Sequence, residues 1–263
     1  MHLPGRRNGP RVDRGTAVAV ARRAVELGAR HVDTAAFYFN GASRANDILR
    51  EALRPYPADV TIATKVGPLR NPAGEMYGEA RADQLRPAVE QNLRDLGVDI
   101  LDLVYLRVGR LAKSGTDPVG DRFTALAELR DEGLIRQLGV SNVTSGQLVE
   151  ARAIAPVAAV QNRFGVLDQG DAALVDECAA VSIAFMPFFA LGGGHTSLAG
   201  GNLQKVAERH GATACQVAIA WGLTRSPSIV QIPGTSSLAH LEQNMAAAHL
   251  MLDEDDMALL GQR

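Results

Sequence analysis

The sequence predicts an α/β fold, a (β/α)8 TIM barrel that lacks its first strand. Three observations carry this reading. Short apolar β-type runs alternate with helical segments along the whole chain. The helical runs end on glycine, the cheapest left-handed cap residue, at Gly28, Gly97, Gly133 and Gly211. Polar residues cluster at the ends of the strand candidates, where barrel enzymes hold their chemistry. At 263 residues, 46% hydrophobic and 21% charged, the chain can build one large core. Residues 1–263 are expected to form a single barrel-type domain.

The elements follow in order. A helix over about Gly15–Leu27 precedes the first strand candidate, Ala29–Thr34. Val60–Val66 and Leu101–Arg107 come next, separated by Asp83–Leu96, where Leu85, Val89, Leu93 and Leu96 fall on one helical face. Phe123–Glu132 is helical and closed by Gly133. Arg136–Ser141, Val157–Gln161, Ser182–Pro187 and Ser228–Ile232 complete the strand candidates. Asp33, Lys65, Arg107, Ser141-Asn142, Gln161-Asn162 and Gly234-Thr235-Ser236-Ser237 all lie at or just beyond strand ends.

Composition excludes several classes. A net charge of −2 leaves no electrostatic footprint for nucleic acid. Arg6, Arg7, Arg11 and Arg14 form a basic N-terminal cluster, read as a solvated tail because no aromatic residues interleave with them. The stretch Ala17–Leu27 is broken by Arg22, Arg23 and Glu26, so neither a signal-peptide core nor a membrane span is expected. A cytoplasmic location follows. Cys178 and Cys215 are far apart and lack ligand-type neighbours in sequence, so they read as small apolar residues, and no metal is implied.

The segment His31-Val32-Asp33-Thr34-Ala35-Ala36-Phe37-Tyr38 and the pair Thr64-Lys65 carry the strongest chemical signal. A phenol with a reference pKa of about 10 is a poor donor at neutral pH, but an adjacent buried ammonium stabilises its phenolate and brings it into range. An aspartate keeps that ammonium charged. The plainer alternative is an ordinary ion pair at a strand end beside a surface tyrosine.

These residues resemble the aldo-keto reductases, from about Thr16 to the C-terminus. The family's Asp-Thr-Ala with a Tyr five residues after the Asp matches Asp33 and Tyr38, and its Thr-Lys matches Thr64-Lys65. Gly139-Val140-Ser141-Asn142, Val160-Gln161-Asn162, Met186-to-Gly193 and Ile232-to-Ser237 with His240 and Asn244 match the cofactor segments in order. Leu103-to-Arg107 and Pro233-to-Asn244 look most like the bacterial pyridoxal or pyridoxine reductase-like branch.

The resemblance implies NADPH-dependent reduction of an aldehyde or ketone, with NADH possible as cofactor. Tyr38 would donate the proton, Lys65 would lower its pKa, and Asp33 would hold Lys65. Ser141, Asn142 and Gln161 would hydrogen-bond the nicotinamide carboxamide, and Phe188 would stack on its ring. The matching segments extend the cofactor set to Phe189, Leu191, Gly193, Ile232, Gly234, Thr235, Ser236, Ser237, His240, Gln243 and Asn244. The Gly192–Gly194 tract is read as a flexible loop that can approach the pyrophosphate. The Gly234-to-Ser237 turn entering a helix is a phosphate site by its free amides and hydroxyls. His240 stands where many relatives carry an arginine against the 2′-phosphate, which weakens the preference for NADPH.

Two departures stand out. Arg107 replaces the family's usual histidine; it cannot relay a proton, but its cationic fork can orient a carbonyl oxygen and stabilise the developing alkoxide, which suggests a polar or anionic substrate. A rim ion pair with Asp102 or with a loop carboxylate is the alternative role. Second, the family's N-terminal hairpin and first strand have no counterpart here, so an open barrel with edges at Ala29–Thr34 and Ser228–Ile232 is expected, and the native chain is expected to begin upstream of Met1. Partners are a small-molecule carbonyl substrate, no nucleic acid and no membrane, with the chain a monomer or homodimer. The segments Phe37–Ser43, Arg70–Gly78 and Val108–Gly120, with Arg70, Tyr77 and Arg110, are expected to line the substrate pocket. Two other readings stay open: a nucleotide-binding or regulatory barrel without turnover, and a non-redox lyase or dehydratase.

Overall fold

Helix α1 (Arg14–Glu26) starts where Asp13 can cap it, its carboxylate accepting the Thr16 N–H at 2.8 Å. It buries Ala17, Val18, Val20 and Ala21 and turns its arginines outward. The structure is a computed structural model that describes residues 3–5, 9–71, 73–109, 117–194 and 197–261. Arg6, Arg7 and Arg110 lie outside the described residues. The chain divides into two compact units. The first runs through Val160 and includes Gly234–Leu238; the second comprises Gln161–Pro233 and the residues from Ala239 on.

The first unit alternates strands and helices as the sequence predicts. After α1 come β1 (His31–Asp33), the hairpin β2 (Phe39–Asn40) and β3 (Ser43–Arg44), α2 (Ala45–Leu53) and β4 (Thr61–Val66). A second hairpin follows, β5 (Pro68–Arg70) and β6 (Met76–Glu79), then α3 (Leu85–Leu96), β7 (Leu101–Arg107), α4 (Gly120–Asp131), β8 (Ile135–Ser141), α5 (Ser145–Ile154) and β9 (Ala159–Gln161), whose last residue belongs to the second unit. The long strands pair in parallel, β1 with β4, β4 with β7 and β7 with β8, each next to the one before it in the series. Helical crossovers are what parallel neighbours require. Strands covered on both sides carry near-continuous apolar runs, and Val104, Tyr105, Leu106 and Val140 are fully buried.

Gly139 is set by the close approach of its neighbours. A Cβ there would lie 2.6 Å from Tyr105 Cδ1 and 2.8 Å from the Ala159 carbonyl, so only glycine lets the Tyr105 ring lie across β8.

The second unit holds α6 (Ala172–Ala180), the short β10 (Ala184–Phe185), α7 (Gly201–Arg209), α8 (Ala214–Arg225), α9 (Leu238–Ala246), whose first residue belongs to the first unit, and α10 (Glu254–Gly261). Its core is aromatic: Phe164 lies 5.8 Å from Phe185 and 5.5 Å from Trp221, centroid to centroid. Helix α8 begins with a capping box in which Thr213 and Gln216 satisfy each other's backbone amides.

One strand expectation fails. Ser228–Ile232 does not form a strand; only a bridge joins Phe185 to Ile229, through Phe185 N–H to Ser228 O at 2.8 Å and Val230 N–H to Phe185 O at 2.9 Å. Pro227 and Pro233 bracket the segment and can donate nothing to a longer ladder.

Candidate active site

Parallel register sets the central pair. Asp33 is opposite Ala63, so Lys65 lies two residues further along β4 and its side chain leaves the same face of the sheet as that of Ala63. Lys65 Nζ donates to both Asp33 oxygens at 2.7 Å and to the Thr34 carbonyl at 2.9 Å. Lys65 is 3% exposed and Asp33 9%, a depth at which an unpaired charge would not survive. Burial works to lower the ammonium's pKa, but attraction to Asp33 and Tyr38, with hydrogen bonding to both, outweighs it and raises the pKa above the usual lysine value.

Tyr38 reaches this pair from the loop after β1. That loop is held by backbone bonds from Tyr38 N–H to Ala35 O and from Ala45 N–H to Tyr38 O, both 2.9 Å. The ammonium lies 4.8 Å from the centroid of the Tyr38 ring and 5.9 Å from that of Tyr105. Phe37 meets Tyr38 edge-on at 5.3 Å, and the Arg70 guanidinium stands 5.2 Å from the Phe37 ring centroid.

Arg107 ends β7 opposite Ser141 at the end of β8, and its Nη1 donates to Ser141 Oγ at 3.2 Å. Burial lowers the guanidinium pKa; the charges of Tyr38, Asp33 and Glu79 raise it, and Arg70 lowers it. Asp102, at the start of the same strand, accepts from the Ile62 N–H at 3.0 Å and lies 3.9 Å from Arg136, so the Asp102 pair considered for Arg107 is made by another arginine. Asn142 adopts a left-handed backbone, φ 63°, which asparagine tolerates, and its amide donates to the Val108 carbonyl at 2.9 Å. The fully buried Ser141 and this amide thus follow one strand end.

In the second unit, Gln161 is buried at the end of β9, and Asn162 donates to Asp171 Oδ2 at 2.8 Å. Phe188 is tied to that strand end by its N–H to the Asn162 carbonyl at 2.9 Å, and its ring meets Phe189 edge-on at 5.2 Å. The glycine tract forms a tight turn: at Gly193, φ 61°, a Cβ would lie 2.5 Å from Phe189 Cδ1, so glycine is required there. Leu191 and Ile232 are half-buried, Asn244 is buried, and His240 and Gln243 are exposed. Gly234, Thr235, Ser236 and Ser237 lead into α9 within the first unit, with Thr235 Oγ1 accepting the Ser237 N–H at 3.1 Å.

Sequence reasoning missed Thr34, whose contribution is a backbone carbonyl and leaves no side-chain signal, and Tyr105, which reads as one more core aromatic. The first unit also has a cleft of about 810 Å³ lined by Met76, Gly78, Glu79, Asp117 and Arg122, partly from the Arg70–Gly78 segment expected at the pocket. Neither this cleft nor a cavity of about 280 Å³ at the opposite strand ends, lined by Tyr56, Val60, Leu101 and Asp102, is lined by Asp33, Tyr38, Lys65 or Arg107. Among the described residues no helix is long and apolar enough to cross a membrane, and no group of three or more His, Cys, Asp or Glu side chains could hold a metal ion.

Comparison with known proteins follows the same lines. A family model described as the aldo/keto reductase family matches residues 1–262. Pyridoxine 4-dehydrogenase of Escherichia coli K12 is 45% identical over 256 residues, covering 96% of this chain and 88% of the relative. A thermostable aldo-keto reductase solved with the inhibitor epalrestat superposes with a TM-score of 0.82 at 26% identity, covering 99% of this chain and 91% of the other. An aldo/keto reductase from Klebsiella pneumoniae, solved with NADP and acetate, gives 0.80 at 26% identity, with 94% and 84% covered. The fold class agrees with the sequence reading, an incomplete (β/α)8 barrel.

Proposed function

Because this chain belongs to the aldo/keto reductase family, we propose that its Asp33, Tyr38, Lys65 and Arg107 carry out the family's NADPH-dependent reduction of an aldehyde or ketone, with pyridoxal as the substrate to test first. The enzyme is an NADP-dependent oxidoreductase. The observation that carries the assignment of residues is the buried ammonium of Lys65, fixed by Asp33 and the Thr34 carbonyl, with its face toward Tyr38.

An ammonium has three N–H donors. On Lys65 they serve both Asp33 oxygens and the Thr34 carbonyl and are shared with Tyr38 as well. Negative charge that develops on the Tyr38 oxygen as its proton is transferred faces a fixed positive charge that needs no reorganisation. Arg107, charged at any physiological pH, orients the carbonyl oxygen and shares the negative charge that develops there.

The donor set suits NADPH, which when bound supplies the hydride for the carbonyl carbon. Ser141, Asn142 and Gln161 offer a hydroxyl and two amides, the groups a carboxamide needs as donors and acceptors. Phe188 offers a flat apolar face, with Phe189, Leu191, Gly193 and Ile232 beside it in sequence. Gly234, Thr235, Ser236 and Ser237 present amides and hydroxyls at a helix start, suited to phosphate, followed on α9 by His240, Gln243 and Asn244. The reading extends to a cytoplasmic monomer or homodimer, and light scattering on the purified chain distinguishes these two.

The test is NADPH oxidation with a panel of aldehydes that includes pyridoxal, run on the wild type and on Tyr38→Phe. Loss of the proton donor is expected to lower kcat by roughly 10²–10⁴-fold while NADPH still binds. Unchanged turnover in Tyr38→Phe removes Tyr38 from the mechanism.

A further inference from the structure

Behind the Asp33–Lys65 pair, on the helix side of the same two strands, lies a chain of four polar side chains that the chemistry above does not use. Alternation along a strand turns neighbouring residues to opposite faces. Thr34 follows Asp33 and Thr64 precedes Lys65, so both threonines face away from the catalytic groups. Thr34 Oγ1 donates to Asn46 Oδ1 on α2 at 2.8 Å. Asn46 Nδ2 donates to Asn92 Oδ1 on α3 at 3.2 Å, and Thr64 Oγ1 donates to the same oxygen at 2.7 Å. Asn92 Nδ2 donates to the Ala88 carbonyl at 2.9 Å. All four residues are 0–1% exposed.

Packing alone does not call for this. Valine and leucine would fill the same layer without the desolvation cost that a hydroxyl or amide carries there. Apolar contact, however, is non-directional and lets packed elements slide, whereas a fully satisfied hydrogen-bonded chain fixes distance and orientation. Both ends of this chain attach next to the catalytic pair. Thr34 is bonded twice, its hydroxyl to Asn46 and its carbonyl to Lys65 Nζ. Thr64 is covalently adjacent to Lys65.

We propose that Asn46 and Asn92 are positioning residues of the reductase: through Thr34 and Thr64 they set the spacing of Asp33 and Lys65 and so keep the ammonium against Tyr38. The proposal rests on the catalytic assignment above. A catalytic group displaced by about 1 Å can cost on the order of 10²-fold in rate, so a tether far from the substrate affects kcat while substrate binding is left alone.

The experiment compares Thr64→Val, which removes the hydroxyl at constant shape, Thr64→Ser, which keeps it, and Asn92→Leu. Active sites are counted by NADPH fluorescence titration, kcat and KM are measured with pyridoxal, and acetylation of Lys65 is followed by mass spectrometry. Thr64→Val and Asn92→Leu are expected to lose about tenfold or more in kcat, with KM held within about twofold. Lys65 should acetylate faster in both, and Thr64→Ser should restore both readouts. Wild-type kcat and labelling in Thr64→Val overturn the proposal, as does a Thr64→Ser variant no better than Thr64→Val. If Asn92→Leu does not fold, the two Thr64 variants decide. A wild type that fails to oxidise NADPH defeats the catalytic assignment instead, and Lys65 labelling still judges the tether.

Discussion

Arg107 tests how far residue type can be read as chemistry. A guanidinium replaces the imidazole that the family usually carries after this strand, and it sits within hydrogen-bond reach of Ser141 in the electrostatic field of Tyr38 and Asp33. If its work is to hold the carbonyl oxygen, Arg107→Ala should lower kcat by roughly 10²–10³-fold, the usual cost of one oxyanion donor. Arg107→Lys should recover part of that by charge alone, since it lacks the fork. Full kcat in Arg107→Ala, measured by NADPH oxidation, would assign the residue to structure. The trio proposed for catalysis, Asp33, Tyr38 and Lys65, is legible in sequence because an acid, a phenol and an amine stand there at a distinctive spacing at strand ends. The Thr34 carbonyl that completes the coordination of Lys65 is not, since every residue has a carbonyl and only the fold aims it. Asn46 and Asn92 are silent for a related reason: a buried asparagine in an amphipathic helix reads as a polar position until its partners are seen.

At the level of elements, the apolar runs locate β1, β4, β7 and β8 to within two residues, because strands buried on both faces leave little else for their sequence to be. The hairpins β2–β3 and β5–β6 are invisible in sequence: strands of two to four residues have no periodicity to detect. Ser228–Ile232 shows the converse, since apolar β-branched residues favour extended backbone without guaranteeing a ladder. Helix α4 shows what tertiary context adds. Val119 at its N-cap offers no side-chain acceptor, and the need is met from α5, where Glu150 accepts the Val119 N–H at 3.0 Å and the Gly120 N–H at 2.8 Å. A carboxylate at a helix N-terminus also opposes the dipole favourably. Glu150→Ala should therefore cost about 1 kcal/mol in urea unfolding, and Glu150→Gln, which keeps one acceptor, should fall between. A change in Glu150→Ala indistinguishable from zero would mean that water caps α4 equally well.

For the whole molecule, the ionisations on two adjacent strands set a stability profile with opposite edges. His31, two residues before Asp33, is held below its ordinary pKa of 6.5: burial favours the neutral ring, Asp33 pulls the other way, and Lys65 adds to the lowering. Its Nε2 is covered and has no hydrogen-bond partner among the described residues. The unfolded chain therefore takes up a proton that the native state refuses, so this contribution is present above 6.5 and is lost as pH falls toward the native value. Lys65 works in the reverse sense. Its raised pKa makes its contribution complete below the ordinary value of 10.5 and lost as pH climbs through the native one. Asp256 lies beside Arg209 and His210; burial would raise its pKa, but hydrogen bonds from His210 and the Asp253 N–H, together with the charges of His210 and Arg209, hold it below 3.8, so it acts only in stronger acid. The histidine window thus opens at higher pH than that of this carboxylate. Urea unfolding at a series of pH values should show stability falling below 6.5 with a slope from His31 of at most about 1.4 kcal/mol per pH unit. His31→Leu should remove that slope between pH 6.5 and the carboxylate range while leaving the alkaline edge in place. An unchanged acid slope in His31→Leu would show that the proton is taken up elsewhere, and would return His31 to the role of a packing residue.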